Sequence, residues 1–267
     1  MNSKPRRSLE CLQLLNLIYI AFAIPMHISF DIKIKDLALM LESISLVVSF
    51  IVLILNFRTP VIVKGETTLS PSKVAKYYWQ NGMLIDLCGI VPLNLFLGMN
   101  IELETLSALP LLIVLFLRAI RIVSCWQALK IFGQFEVYLR NYQFVMSGLK
   151  AALILYFLGH WMTCAWHFVN IVIEGGVETT WATANELGQR TIGEKYLLCF
   201  YLVLNVATSV GYGDMYPVTD TERVFFCLMI NAGDVLFALA FGLIAQITMQ
   251  ISQLDETQIF IDKMLKI

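Results

Sequence analysis

The chain has 267 residues, 58% of them hydrophobic and only 15% charged, with a net charge of −1 and a mean hydropathy of +0.72. Soluble domains carry about 25% charged residues, and a soluble globule must meet water with its surface, so it cannot hide this much apolar area. The composition excludes a disordered, nucleic-acid-binding or ordinary cytosolic protein, gives no electrostatic reason for a polyanionic partner, and predicts an all-α polytopic membrane protein.

The basic start, Met1 to Arg7, runs into a long apolar stretch without a small-residue cleavage site, so no cleaved signal peptide is expected. A spanning helix needs about 20 mostly apolar residues. Six stretches qualify: 9–30, 37–57, 79–97, 106–129, 142–173 and 222–251. Between the last two, 196–206 is apolar but too short to span. It ends at Gly211-Tyr212-Gly213 and reads as a re-entrant segment, tolerated only where protein or a water-filled cavity shelters its backbone.

Lys and Arg set the orientation. They gather at Lys4, Arg6 and Arg7, at Arg58, Lys64, Lys73 and Lys76, at Lys130, Arg140 and Lys150, and at Lys263 and Lys266. The alternate loops are acidic, with Glu102 and Glu104, then Glu174, Glu178 and Glu186. Both termini are therefore expected in the cytoplasm and the re-entrant segment on the outer side. Two membrane modules follow. A four-helix unit covers 1–132 and a helix–re-entrant–helix unit covers 133–253, joined by a cytosolic connector around 132–141, with 254–267 left beyond the last span. Cys11, Cys88, Cys125, Cys164, Cys199 and Cys227 show neither a disulfide framework nor a zinc spacing.

The most specific string is Thr208-Ser209-Val210-Gly211-Tyr212-Gly213-Asp214. A dehydrated potassium ion must be given back a shell of oxygens, and successive backbone carbonyls turned toward one axis supply it. Glycines let alternate residues take the backbone angles this needs. One chain supplies one column of carbonyls, so four chains must surround the axis.

The string resembles the potassium-channel signature, with Ser209 where that family usually has Thr. The resemblance implies a filter over Thr208 to Gly213. Potassium would be held by the carbonyls of Val210, Gly211 and Tyr212 and by the carbonyl and hydroxyl of Ser209. Tyr212 would brace the filter against the pore helix, and Asp214 would sit at the outer mouth. More of the chain resembles the branch of ether-à-go-go, hyperpolarisation-activated and cyclic-nucleotide-gated channels. The matching strings are Asn56-Phe57-Arg58-Thr59, Lys73 to Tyr78, Leu84-Ile85-Asp86 through Pro92, His160-Trp161 with Cys164 to Phe168, and Gly233 to Ala238 with Gly242. The resemblance covers roughly 9–265 and implies a voltage-sensor-like domain followed by a pore domain and, over 254–267, the start of a cytosolic linker. The cyclic-nucleotide-binding domain that follows in this branch is not in this sequence.

The sensor departs from the pattern. A sensor helix carries a basic residue at every third position, and here that register reads Leu112, Leu115, Arg118, Arg121, Ser124, Gln127, Lys130. A charge crossing 100 mV is worth ~2.3 kcal/mol, so two arginines in each of four subunits supply at most roughly 18 kcal/mol per 100 mV. Asp86 is kept as a countercharge, but Val52 replaces the acid that relatives carry on the second helix, and Glu42 lies near that helix's outer end. Weak voltage dependence is expected. The alternative is that Arg118 and Arg121 only snorkel or pair with Asp86 to hold the bundle.

On the last span, Asp234 is an intramembrane carboxylate. Four of them could ring the inner cavity, or each could bond a neighbour such as Asn231. Gly233 and Gly242 read either as gating hinges or as close-packing positions. Gln246, Gln250 and Gln253 are candidates for the lower pore lining, with Ile247 and Ile251 as apolar gate positions. His160, Cys164 and His167 share a helix face, but one face supplies too few ligands for a metal site. No cofactor is expected beyond potassium as permeant ion, and no catalytic constellation is present. The partners expected are lipid and further copies in a tetramer or heterotetramer. The expected function is a potassium-selective channel subunit, most naturally in the plasma membrane. Two alternatives stand beside it: a non-conducting structural subunit of a larger assembly, and a non-selective cation channel.

Overall fold

The computed structural model describes residues 4–30, 36–59, 61–63, 66–68, 70–90, 119–138, 143–170 and 178–264. They fall into two compact units, Met1–Ile131 and Phe132–Ile267.

The first unit opens with α1 (Lys4–Ser29) and α2 (Asp36–Asn56). Leu17, Ile20 and Ile24 of α1 and Val48 and Val52 of α2 are buried, at steps of three and four residues that mark one helix face. Leu15, Ile44, Val47 and Ile51 are exposed, an apolar outer face that suits lipid rather than water. A short antiparallel hairpin follows, β1 (Val61–Val63) and β2 (Glu66–Thr68), with Val61 opposite Thr68. It departs from the all-helical expectation because β-branched Val61, Ile62, Val63, Thr67 and Thr68 favour extended backbone.

The expected single helix over 79–97 is broken. α3 (Pro71–Asn81) and α4 (Met83–Ile90) meet at Gly82. Pro71 starts α3, where its missing N–H costs nothing. Gly82 ends it, its N–H bonding the Tyr78 carbonyl at 2.9 Å, and a Cβ at Gly82 would sit 3.1 Å from the Tyr78 ring. The rest of the third span and the first part of the fourth lie outside the described residues. Ile120–Cys125 then form a 3₁₀ segment that leads into α5 (Trp126–Tyr138), so the expected connector is helical as far as Tyr138.

The second unit contains α6 (Gln143–Phe168), the short α7 (Trp181–Ala184), α8 (Ile192–Ala207) and α9 (Asp220–Met264). α8, the expected re-entrant segment, packs against both α6 and α9. Trp166, Trp181, Leu187, Cys199, Leu202, Val203 and Met229 form the core at this junction. The Trp166 and Trp181 rings meet edge to face at 5.5 Å. α9 runs unbroken to Met264, so the expected linker over 254–267 begins as a continuation of this helix. Among the described residues, three helical stretches are long and apolar enough to cross a bilayer: Ser8–Ser29, Val145–Phe168 and Asp220–Gln246. All six cysteines are free thiols.

Candidate functional site

α8 aims the signature string. It starts with a capping box, in which the Thr191 hydroxyl accepts from the Glu194 N–H while Glu194 accepts from the Thr191 N–H at 2.8 Å. The Thr191 N–H and hydroxyl together hold the exposed Glu194 carboxyl below the usual carboxylate range.

At its other end α8 unwinds in one turn. The Thr208 hydroxyl donates to the Leu204 carbonyl at 2.7 Å, and the Ser209 N–H to the Val206 carbonyl at 3.0 Å. Beyond this point positive φ recurs at every second residue: 56° at Ser209, 60° at Gly211 and 75° at Gly213. No atom lies within 4 Å of where a Cβ would project from Gly211 or Gly213. The backbone angle, not crowding, is what calls for glycine there. Ser209 takes the same angle at a cost of about 1–2 kcal/mol.

Asn205 holds this stretch and is a residue that sequence reading missed. Its carbonyl accepts from the N–H groups of Val210 and Gly211 at 3.1 and 3.3 Å, and its side-chain Oδ1 accepts from the Tyr212 N–H at 3.2 Å. The only sequence signal was a polar residue inside an apolar run. Tyr201 was also missed; its hydroxyl donates to Asp214 at 2.8 Å and ties α8 to the segment after Gly213. Tyr212 is 72% exposed, and within the chain its backbone N–H is held by Asn205.

On α9, Asp234 is exposed and accepts a long hydrogen bond, 3.4 Å, from the Ser209 hydroxyl. The alternative partner Asn231 is occupied elsewhere, donating to the Cys227 carbonyl at 2.7 Å. The two glycines separate. A Cβ on Gly233 would come within 2.8 Å of the Ala207 Cα, so Gly233 is a close-packing position against the end of α8. Gly242 has open space around it. Gln246 is exposed, and the side chains of Ile247, Gln250, Ile251 and Gln253 lie outside the described residues.

The start of α9 is anchored by Glu222, fully buried and also missed. Its carboxylate accepts from the N–H groups of Trp181 at 2.7 Å, Val218 at 2.6 Å and Thr219 at 3.1 Å. These charge-assisted bonds join the start of α7 and the residues just before α9 to the first turn of α9. On α6, His160 meets the Tyr196 hydroxyl at 2.9 Å and the Cys164 sulfur at 3.7 Å. Among the described residues no group of three metal-ligating side chains occurs.

In the first unit, the 3₁₀ segment puts residues three apart on one line. Arg121 and Ser124 thereby both point inward and are buried. Arg121 does not pair with Asp86. It forms a fully buried ion pair with Glu42 and also donates to Ser45 at 3.1 Å, and Tyr19 bonds the same Glu42 at 3.3 Å. Asp86 instead accepts from Asn56 at 2.9 Å, from the Tyr78 hydroxyl and from the Gln127 amide. Gln127 thus meets Asp86 as a neutral amide. Arg118 and the Lys130 side chain lie outside the described residues.

Residues 6–257 match the ion transport protein family. The chain is 27% identical over 229 residues to the potassium voltage-gated channel unc-103 of Caenorhabditis elegans, covering 78% of this chain and 26% of that one. It is 25% identical over 259 residues to the potassium voltage-gated channel protein eag of Drosophila melanogaster, covering 88% and 21%. It is 25% identical over 217 residues to the voltage-gated inwardly rectifying potassium channel KCNH6 of Gallus gallus, covering 75% and 17%. The chain spans about a quarter or less of the length of these curated relatives. With nearly the whole chain matched, it belongs to the ion transport protein family as a helical, integral membrane protein similar to voltage-gated potassium channels, and not as an enzyme.

Proposed function

We propose that the chain is one of four subunits of a potassium-selective channel, with six spans, both termini in the cytoplasm and a filter at 208–213. One observation carries the reading: φ turns positive at every second residue from Ser209 to Gly213, and Asn205 holds three N–H groups of that stretch. Alternating left- and right-handed backbone sends successive carbonyls to one side. With the N–H groups held against the pore helix, the carbonyls are left for ions. A dehydrated cation then trades water oxygens for fixed backbone oxygens. The Ser209 hydroxyl, close to the Asp234 carboxylate, stands at the inner end of this column. The test is potassium efflux from liposomes containing the purified protein. Efflux is expected in the wild type and lost in Gly211→Ala; wild-type vesicles that hold their potassium would sink the reading.

The sensor-like unit gives weak voltage dependence in this account. Arg121 is committed to Glu42, and the next two sensor positions are Ser124 and Gln127. A gating-charge measurement that finds three or more charges per subunit contradicts it.

A further inference from the structure

The first unit holds a small polar cavity of about 20 Å³, lined by the oxygen-bearing side chains of Gln13, Asn16, Ser49, Asp86, Ser124 and Gln127. A cavity of about 10–15 Å³ or more accommodates one water, so this one has room for a single water-sized guest. It lies beside a carboxylate that is 93% buried, since Asp86 is only 7% exposed. Three neutral groups bond that carboxylate, the Asn56 amide, the Gln127 amide and the Tyr78 hydroxyl. All three are placed to donate to its oxygens. No cation bonds it among the described residues. A buried charge without a counter-ion is costly.

Ser124 and Gln127 line the cavity, and both are shorter than arginine and carry no charge. Oxygens in the lining remain able to accept. Asn16 and Gln13 each use the amide nitrogen as donor, to Ser49 at 3.0 Å and to Gln127 at 2.9 Å, which leaves their carbonyl oxygens for a guest. Ser124 likewise donates its hydroxyl proton, to the Arg121 carbonyl at 2.6 Å.

We propose that this cavity binds one small monovalent cation of about the size of sodium, which replaces the missing sensor arginine as the counter-ion of Asp86. One carboxylate calls for one positive charge. Neutral amide, hydroxyl and carboxylate oxygens are the hard ligands that alkali cations take, and the volume excludes an organic cation. The ion stabilises the first unit alone, so the proposal does not depend on conduction through the second.

The test is thermal unfolding of the purified protein at constant potassium, which keeps any filter equally occupied. The balancing cation is either sodium or N-methyl-D-glucamine, which is too large for the cavity. Sodium is expected to raise the melting temperature of the wild type by about 3 °C. That increment should vanish in Asp86→Asn, which removes the charge, and in Ser124→Val, which fills the space and keeps the charge. If Asp86→Asn does not fold, Ser124→Val decides alone. Equal melting in the two cations, or an increment that survives in Ser124→Val, overturns the proposal.

Discussion

Gly211 and Gly213 hold their places through backbone angle alone, because nothing around them would touch a side chain. Alanine at either position should destabilise this stretch by about 1–2 kcal/mol and abolish potassium conduction, read as loss of efflux from liposomes. Asn205 acts through three acceptor contacts. Asn205→Leu leaves the Tyr212 N–H without its partner, a loss of about 1–3 kcal/mol, and should make potassium current decay in sustained recording. Asn205→Asp keeps an acceptor and should sustain the current. Gly233 and Gly242 answer differently. Gly233→Ala drives a methyl into the Ala207 backbone and should cost about 1–3 kcal/mol. Gly242→Ala should stabilise the helix by up to about 1 kcal/mol. Thermal melting of the two variants checks the sign of each. The glycine pattern was readable in the chain because the angle belongs to the residue itself. Asn205, Tyr201 and Glu222 were not, because their work depends on which N–H or carboxylate the fold brings to them.

Among the elements, α1, α2, α6 and α9 follow expected spans because apolar runs of that length have one stable form in lipid. The hairpin at 61–68 and the break at Gly82 were not legible, since both sit where apolar periodicity gives way to local backbone preference. The partner of Arg121 was not legible for another reason, and pairing with Asp86 stood only as an alternative. Glu42 and Asp86 are both acids on neighbouring helices, and only the packing of α1, α2 and the 3₁₀ segment chooses between them. Gln127→Arg should place a cation on Asp86 and steepen the voltage dependence of opening, measured as gating charge per subunit. At the start of α8, Glu194 is ionised by virtue of its bonds to Thr191. Because its pKa is lowered in the folded chain, its stabilisation is complete above the ordinary carboxylate range and is lost as pH falls through the lowered value. Melting on the acid side should therefore be flatter with pH in Glu194→Gln than in the wild type.

For the molecule as a whole, two units divide the work in this account: one holds few charges in a membrane field, the other holds a strand of carbonyls for ions. The apolar composition follows from that division, since spans that face lipid and a re-entrant helix that carries the filter both exclude charge. The thin charge of the first unit is a separate matter. It lies at Ser124, Gln127 and Val52, and it predicts a channel whose opening responds weakly to voltage while its selectivity is intact. Selectivity is therefore the central claim. Its most direct test is the reversal potential of the reconstituted protein under opposed potassium and sodium gradients. The account predicts a potential that follows the potassium gradient alone; a potential near zero, or no current, would contradict it.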